Sequence, residues 1–379
     1  MTTYPGYIEE ISGRPSSISA IDTRMAAFIG HIPGDSLELG ARRWLRSWSD
    51  FAQLASLLPR GGRSWNDLAH AVLGFFMNGG TRCFVVECGE GEQRDMAAAL
   101  KALEELDVNM LAAPGQTSFE AYAALVAHCE ANRDRLAILD GPAQPDVSHL
   151  AVMAGTADEA SDGWRMPPAS PFATLYVPWI SVRDPEGPAG STVLVPPSGH
   201  VAGLWAANDL KRGVWKAPAG LPVNGALDLS RRFTDTEQAA FNPRGVNALR
   251  FFPSEGIMVW GARTLSADPE WKYVNVRRLV MMIEGSISRG TQWAAFEPND
   301  EPLWTTLRRD MEKFLFDVWR SGALMGSKPE EAFFVRCDRS TMTQADLDAW
   351  RGICLYGVAI IRPAEFVLLR LEWQVEDFS

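Results

Sequence analysis

Membrane-length apolar runs, zinc-type cysteine spacings, phosphate-binding loops and nucleophile elbows are all missing from this 379-residue sequence. No stretch reaches the roughly eighteen consecutive apolar residues that would span a bilayer. The opening residues, MTTYPGYIEEISGRP, have acids and prolines where an export signal has a basic start and an apolar run, so no leader is expected there. The five cysteines (Cys83, Cys88, Cys129, Cys337, Cys354) are widely spread, and no CxxC or Cys/His pair has the short spacing that zinc sites use. That excludes the usual zinc ligand sets and fits a reducing, cytoplasmic site of synthesis. No GxxxxGK[ST] or GxSxG is present.

The weaker patterns also read as structure. Cys88-Gly89-Glu90-Gly91-Glu92 lacks the third glycine of a dinucleotide loop, and its two glutamates would repel a pyrophosphate. Ser198 and His200 sit two residues apart in Pro196-Pro197-Ser198-Gly199-His200, a spacing that reads as a tight turn. His31, His70, His128 and His149 are isolated, and Asp140 before Gly141-Pro142 reads as a turn residue. No catalytic residue, cofactor-binding residue or metal ligand is assigned. Basic residues are also short: 36 Lys and Arg face 47 Asp and Glu, a net charge of −11. The densest basic groups are only pairs, such as Arg277-Arg278 and Arg308-Arg309, so a nucleic-acid partner is not expected.

What is present is apolar: 46% hydrophobic residues, enough for a substantial core of one large domain or two moderate ones. Tyr4 to Ile11 and Ile18 to Ile29 are short extended runs separated by Ser12-Gly13-Arg14-Pro15, and together read as an arm over residues 1–30. A body follows over 31–362. Its first half alternates helical and strand patterns: Trp65 to Phe76 (helix), Thr81 to Glu87 (strand), Asp95 to Leu106 (helix), Val108 to Ala112 (strand), Phe119 to Asn132 (helix), Arg135 to Leu139 (strand). This order implies βαβ units and a mainly parallel sheet covered by helices. A loop-rich segment occupies about 142–225, interrupted by one strand run at Phe172 to Val182.

Beyond it come a strand at Gly256 to Trp260, a helix at Val274 to Gly290, and further strands at Glu331 to Cys337 and Gly357 to Ile361. Between them lies the best helix of the chain, with Asn299-Asp300-Glu301-Pro302 as its start and Leu303, Leu307, Met311, Phe314, Leu315 and Val318 as its apolar face. The fold class is therefore α/β (mixed α+β): an open sheet with covering helices plus extended arms at both ends. Residues 363–379 form the second arm. In it Val367, Leu369, Leu371 and Trp373 fall on one side of a strand. So apolar a strand needs a partner, and if both arms leave the body, pairing between chains supplies one. Tyr7, Ile8, Ile11, Ile18 and Ile21 are the candidate linking residues of the first arm, and Phe366, Val367, Leu368, Leu369, Leu371 and Trp373 those of the second.

Asn242 to Asn247, Val259 to Leu265, Asp268 to Leu279, Gly290 to Trp293, Phe296 to Trp304 and Pro363 to Phe366, taken in order, resemble the C-terminal region of contractile phage tail sheath proteins, most strongly over 242–362. Tyr4 to Glu10, Asn78 to Cys83, Pro196 to Gly203 and Gly213 to Pro218 look like the same family, in its small form found in R-type pyocins and extracellular contractile injection systems. The resemblance implies a structural subunit with no catalytic role and no cofactor. It implies rings stacked helically around an inner tube, arms that join neighbouring copies, assembly in the cytoplasm, and baseplate and terminator or cap proteins as further partners, with no insertion into a membrane. It implies contraction from a metastable extended state. The rival reading is a soluble α/β enzyme with a small-molecule site at the C-terminal ends of the parallel strands.

Overall fold

The computed structural model describes residues 17–33, 37–55, 65–91, 94–152, 164–362 and 365–374. The chain divides into a larger unit, Asp22–Met282, and a smaller one made of Met1–Ile21 and Ile283–Ser379. In order, the larger unit contains β1 (Ala26–Gly30), β2 (Arg42–Leu45), α1 (Trp48–Leu54), α2 (Asp67–Met77), β3 (Cys83–Glu87), α3 (Met96–Lys101), β4 (Met110–Ala112), α4 (Phe119–Asn132), β5 (Leu136–Asp140) and α5 (Val147–Leu150). It continues with β6 (Ala173–Val177), β7 (Ile180–Arg183), β8 (Thr192–Val195), α6 (Ser198–Arg212), β9 (Leu221–Pro222), β10 (Asp228–Leu229), α7 (Asp235–Phe241), β11 (Val246–Phe252) and β12 (Gly256–Trp260). Helix α8 (Val274–Thr291) contributes residues to both units. The smaller unit adds α9 (Glu301–Arg320), α10 (Pro329–Ala332), β13 (Phe333–Arg336), α11 (Gln344–Asp348), β14 (Arg351–Val358) and β15 (Val367–Gln374).

In the larger unit nine strands form one sheet in the order β2-β3-β1-β4-β5-β6-β11-β12-β9. Its centre, from β3 to β11, is parallel, and antiparallel strands close both sides. The parallel strands are apolar without alternation, as Leu136-Ala137-Ile138-Leu139 is in β5, because helices cover both faces of such a sheet. Side-chain caps start the helices: Asn66 accepts from Ala69 N–H at 3.0 Å before α2, and Ser118 from Ala121 N–H at 3.2 Å before α4.

The structure corrects several boundaries. The arm does not extend to residue 30: Ala26-Ala27-Phe28-Ile29 is the fully buried β1, lying between β3 and β4. A short, wholly apolar run looks the same in an arm as in the middle of a parallel sheet. Phe172 to Val182 is two strands, because Pro178 has no N–H for a ladder; β6 joins the large sheet and β7 a separate sheet in the order β10-β7-β8. The loop-rich segment contains the buried α6. Its glycines, poor helix formers, are there for close approach: a Cβ on Gly199 would lie 2.3 Å from Ala71 Cα, and one on Gly203 2.3 Å from the Phe75 carbonyl, both in α2. The helix expected over Asp95 to Leu106 is confined to α3, with turns after Lys101, and β11 had no counterpart in the sequence reading.

In the smaller unit α9 starts as expected. Asp300 accepts from Leu303 N–H at 3.1 Å, Pro302 fills the first turn, and Leu303, Leu307, Met311, Phe314, Leu315 and Val318 are buried together with Trp304. The strand expected from Glu331 begins at Phe333, after the α10 turn, and the one expected at Gly357 to Ile361 is the longer β14. These strands form a third antiparallel sheet, in the order β13-β14-β15.

Candidate subunit-linking site

The second arm is the eight-residue β15. Its burial alternates as the sequence pattern requires: Leu369 and Trp373 are buried, Val367 and Leu371 half-buried, Leu368 and Arg370 exposed. In the single chain it is not free. It pairs antiparallel with β14 of the same chain, from Val358↔Val367 to Arg351↔Gln374. The physical reason is local: the other edge of β14 is taken by β13, and an apolar strand a few residues downstream satisfies its backbone on the open one.

Two glycines shape the ladder. A Cβ on Gly352 would lie 2.0 Å from the Trp373 indole that covers it, and one on Gly357 2.3 Å from the Phe334 ring. The Trp373 Nε1–H is buried and has no acceptor among the described residues. On the outward face Phe334 meets Phe366 edge to face at 5.1 Å, beside Leu368, at 73% the most exposed large apolar side chain among the described residues. Arg370 pairs with Glu372 on the same face, and the far edge of β15 carries no strand among the described residues. Charges on an open edge limit uncontrolled pairing without forbidding a specific partner.

Of the first arm, Tyr7, Ile8 and Ile11 lie outside the described residues. Ile18 and Ile21 are seated on the second half of α8, where small residues leave a groove. A Cβ on Gly290 would be 2.9 Å from Ile18 Cγ1, one on Gly285 2.7 Å from Ile21 Cδ1, and the Ile21 N–H donates to Ser286 Oγ at 3.0 Å. The structure does not bring the described residues of the two arms together. Immediately after, in the larger unit, the chain is clamped. Arg278, in α8, donates to both Asp209 oxygens at 3.0 and 2.8 Å and to the Thr23 carbonyl at 2.8 Å, while the Thr23 hydroxyl donates to Asp209 at 2.6 Å. Arg278 and Asp209 are each only 2% exposed, and the guanidinium lies 4.8 Å from the centre of the Trp205 ring. Asp22 pairs with Arg24 and Arg82 beside it. Of the clamp groups only Arg278 was named from sequence, and then as half of a basic pair. Gly285-Ser286 and Gly290 inside a helical stretch were the available signal for the groove.

The polar residues weighed for chemistry serve packing instead. Asp140 ends β5 fully buried, with its oxygens accepting from the Ser198 N–H at 2.8 Å, the Ser198 hydroxyl at 2.7 Å and the Gly115 N–H at 3.2 Å. Burial pushes its carboxyl up to about 7 against the pull of those donors, and burial raises Asp67 to about 6. The Ser198 hydroxyl thus binds a carboxylate and not His200. The His200 ring is buried against Gly74, and burial holds both it and His70 down to about 4. Cys337 and Cys354 form a disulfide within the smaller unit, which the spread of the cysteines in sequence did not suggest.

This is an α/β protein with an open strand edge at β15 among the described residues. Against known families, residues 89–265 match the phage tail sheath protein central domain and residues 266–374 the phage tail sheath C-terminal domain. A putative prophage major tail sheath protein of Pseudomonas aeruginosa is 25% identical over 62% of this chain, and the match spans 59% of that relative's length. Among solved structures, the sheath complex of an extracellular contractile injection system, PVC, in its contracted state is 33% identical, covers 100% of this chain and 99% of its own, and superposes with a TM-score of 0.79. The contracted helical sheath of the anti-feeding prophage is 31% identical over 97% of this chain and 99% of its own, at 0.77. The chain belongs to the contractile tail sheath family.

Proposed function

We propose that the chain polymerises helically around an inner tube, and that contraction of the polymer drives the tube through a target envelope without a catalytic step in the sheath subunit. The observation that carries this reading is β15, an alternating strand held on the edge of its own sheet through one ladder. The same ladder made with the β14 of another copy would satisfy the same backbone groups, so exchange costs little in contacts and yields an open chain of subunits. Tyr7, Ile8 and Ile11 would act in the same way on another copy, with Ile18 and Ile21 as the seated root of that arm. The tube, the baseplate and a terminator or cap protein are the expected partners, and assembly in the cytoplasm is the expected setting.

Leu355 and Arg370 face each other across the ladder on its exposed side, so a Leu355→Cys/Arg370→Cys variant tests the exchange. Oxidised after assembly, it should run as a ladder of covalent multimers on a denaturing gel. Cross-linked monomer alone would mean that β15 stays at home.

A further inference from the structure

Three of the five cysteines are isolated in the core: Cys83, Cys88 and Cys129 are buried without a sulfur partner, and burial raises all three thiols, that of Cys88 to about 11. Such thiols are poor nucleophiles and remain reduced. Cys337 and Cys354 differ. Arg336 and Leu355 are register partners at the end of the β13–β14 ladder, and one step further the two cysteines face each other, Cα to Cα 4.5 Å, within the span of a disulfide. On its other side Cys354 is opposite Leu371 of β15. Both cysteines are buried, at 1% and 0% exposure.

We propose that Cys337 and Cys354 are an oxidation site, two thiols in the newly made chain and a disulfide in the mature one, and that the bond staples β13 to β14 under the strand that links subunits. The significance of the staple rests on the exchange proposed above; the chemistry of the pair does not. The co-reactant is a small-molecule disulfide such as oxidised glutathione. One thiolate attacks it and releases a reduced thiol; the second thiolate attacks the mixed disulfide and releases another. Two protons and two electrons leave the pair, one S–S bond breaks and one forms. With β15 in place both sulfurs are sealed, so the oxidant enters while β14 lacks its outer strand, and the finished bond is shielded from reductant afterwards. A pull on β15 loads β14, which without the staple is held to β13 by a four-residue ladder.

The test uses wild-type protein from a reducing cytosol, unfolded in guanidinium with dithiothreitol so that β15 is off β14, then divided, one half refolded with oxidised glutathione and the other with dithiothreitol before assembly. Alkylation in guanidinium followed by peptide mapping should find Cys337 and Cys354 joined in that half only, with Cys83, Cys88 and Cys129 alkylated in both. The guanidinium midpoint of the oxidised half should be higher by roughly 0.5–1 M, given a cross-link closing a short loop. A Cys337→Ser variant should show the same midpoint with and without oxidant. Alkylation of both Cys337 and Cys354 in the oxidised half overturns the site, and a linked pair with equal midpoints overturns the staple. Because the wild-type halves decide the matter, a misfolded Cys337→Ser variant leaves the test intact. Multimers from the Leu355→Cys/Arg370→Cys experiment report on exchange separately.

Discussion

Asp209→Ala removes the acceptor at the centre of the Thr23–Asp209–Arg278 clamp in the larger unit. Its carboxylate receives two hydrogen bonds from Arg278 and one from Thr23, with both charged side chains 2% exposed. The variant leaves the guanidinium in the same dry site with only the Thr23 carbonyl and the Trp205 ring. Breaking a buried pair in this way costs about 3–5 kcal/mol, a third or more of the stability of a marginal domain. At 1.4 kcal/mol per factor of ten, the unfolded fraction rises roughly a hundredfold to a few thousandfold. Guanidinium unfolding followed by tryptophan fluorescence reads this directly. The control is Asp209→Leu with Arg278→Met, which removes both charges and should return to within about 1–2 kcal/mol of wild type, since the attraction and the desolvation then vanish together. A single variant costing under about 1 kcal/mol, or a double variant as costly as the two singles summed, refutes the reasoning.

Leu369→Asp replaces a buried side chain of β15 with a carboxylate and should cost the β14–β15 ladder about 3–5 kcal/mol; sheaths of wild-type yield would show that this strand does not carry the link. Asp140→Asn tests the buried carboxyl. Its folded value near 7 lies above its unfolded one, so the stability it brings is fully present below about pH 4 and is lost as the pH rises through 7. His70 and His200, held near 4, act oppositely: their contribution is present above about pH 6.5 and is lost as the pH falls through 4. Asparagine does not titrate, so the deficit of the variant should shrink by about 2–3 kcal/mol between pH 5 and pH 8, and a deficit independent of pH in urea unfolding would contradict the assignment. Gly290→Val fills the groove under Ile18 and should expose the segment around it to limited proteolysis; an unchanged cleavage pattern would mean that the segment is held elsewhere.

Where one physical signal dominated, the fold was legible in the sequence. Asp300 and Pro302 mark the start of α9, its apolar spacing gives the buried face, and the alternation of Val367, Leu369, Leu371 and Trp373 gives the faces of β15. Where two readings share one pattern, it was not. Ala26 to Gly30 is equally apolar in an arm or a central strand, and the glycines of α6 read as loop because their role, contact with Ala71 and Phe75, is tertiary. The strand at β15 was legible, but what it and its neighbours pack on was not: β14, the α8 groove, the Arg278–Asp209 clamp and the Cys337–Cys354 pair all depend on separations that local pattern cannot carry.

Electron microscopy of the full chain, purified alone and then mixed with its tube protein, tests the central claim most directly. The account predicts hollow cylinders with helical striations, and at higher resolution the β15 of one copy laddered on the β14 of another. Monomers or small closed oligomers under both conditions, or cylinders in which every β15 remains on its own β14, would contradict it.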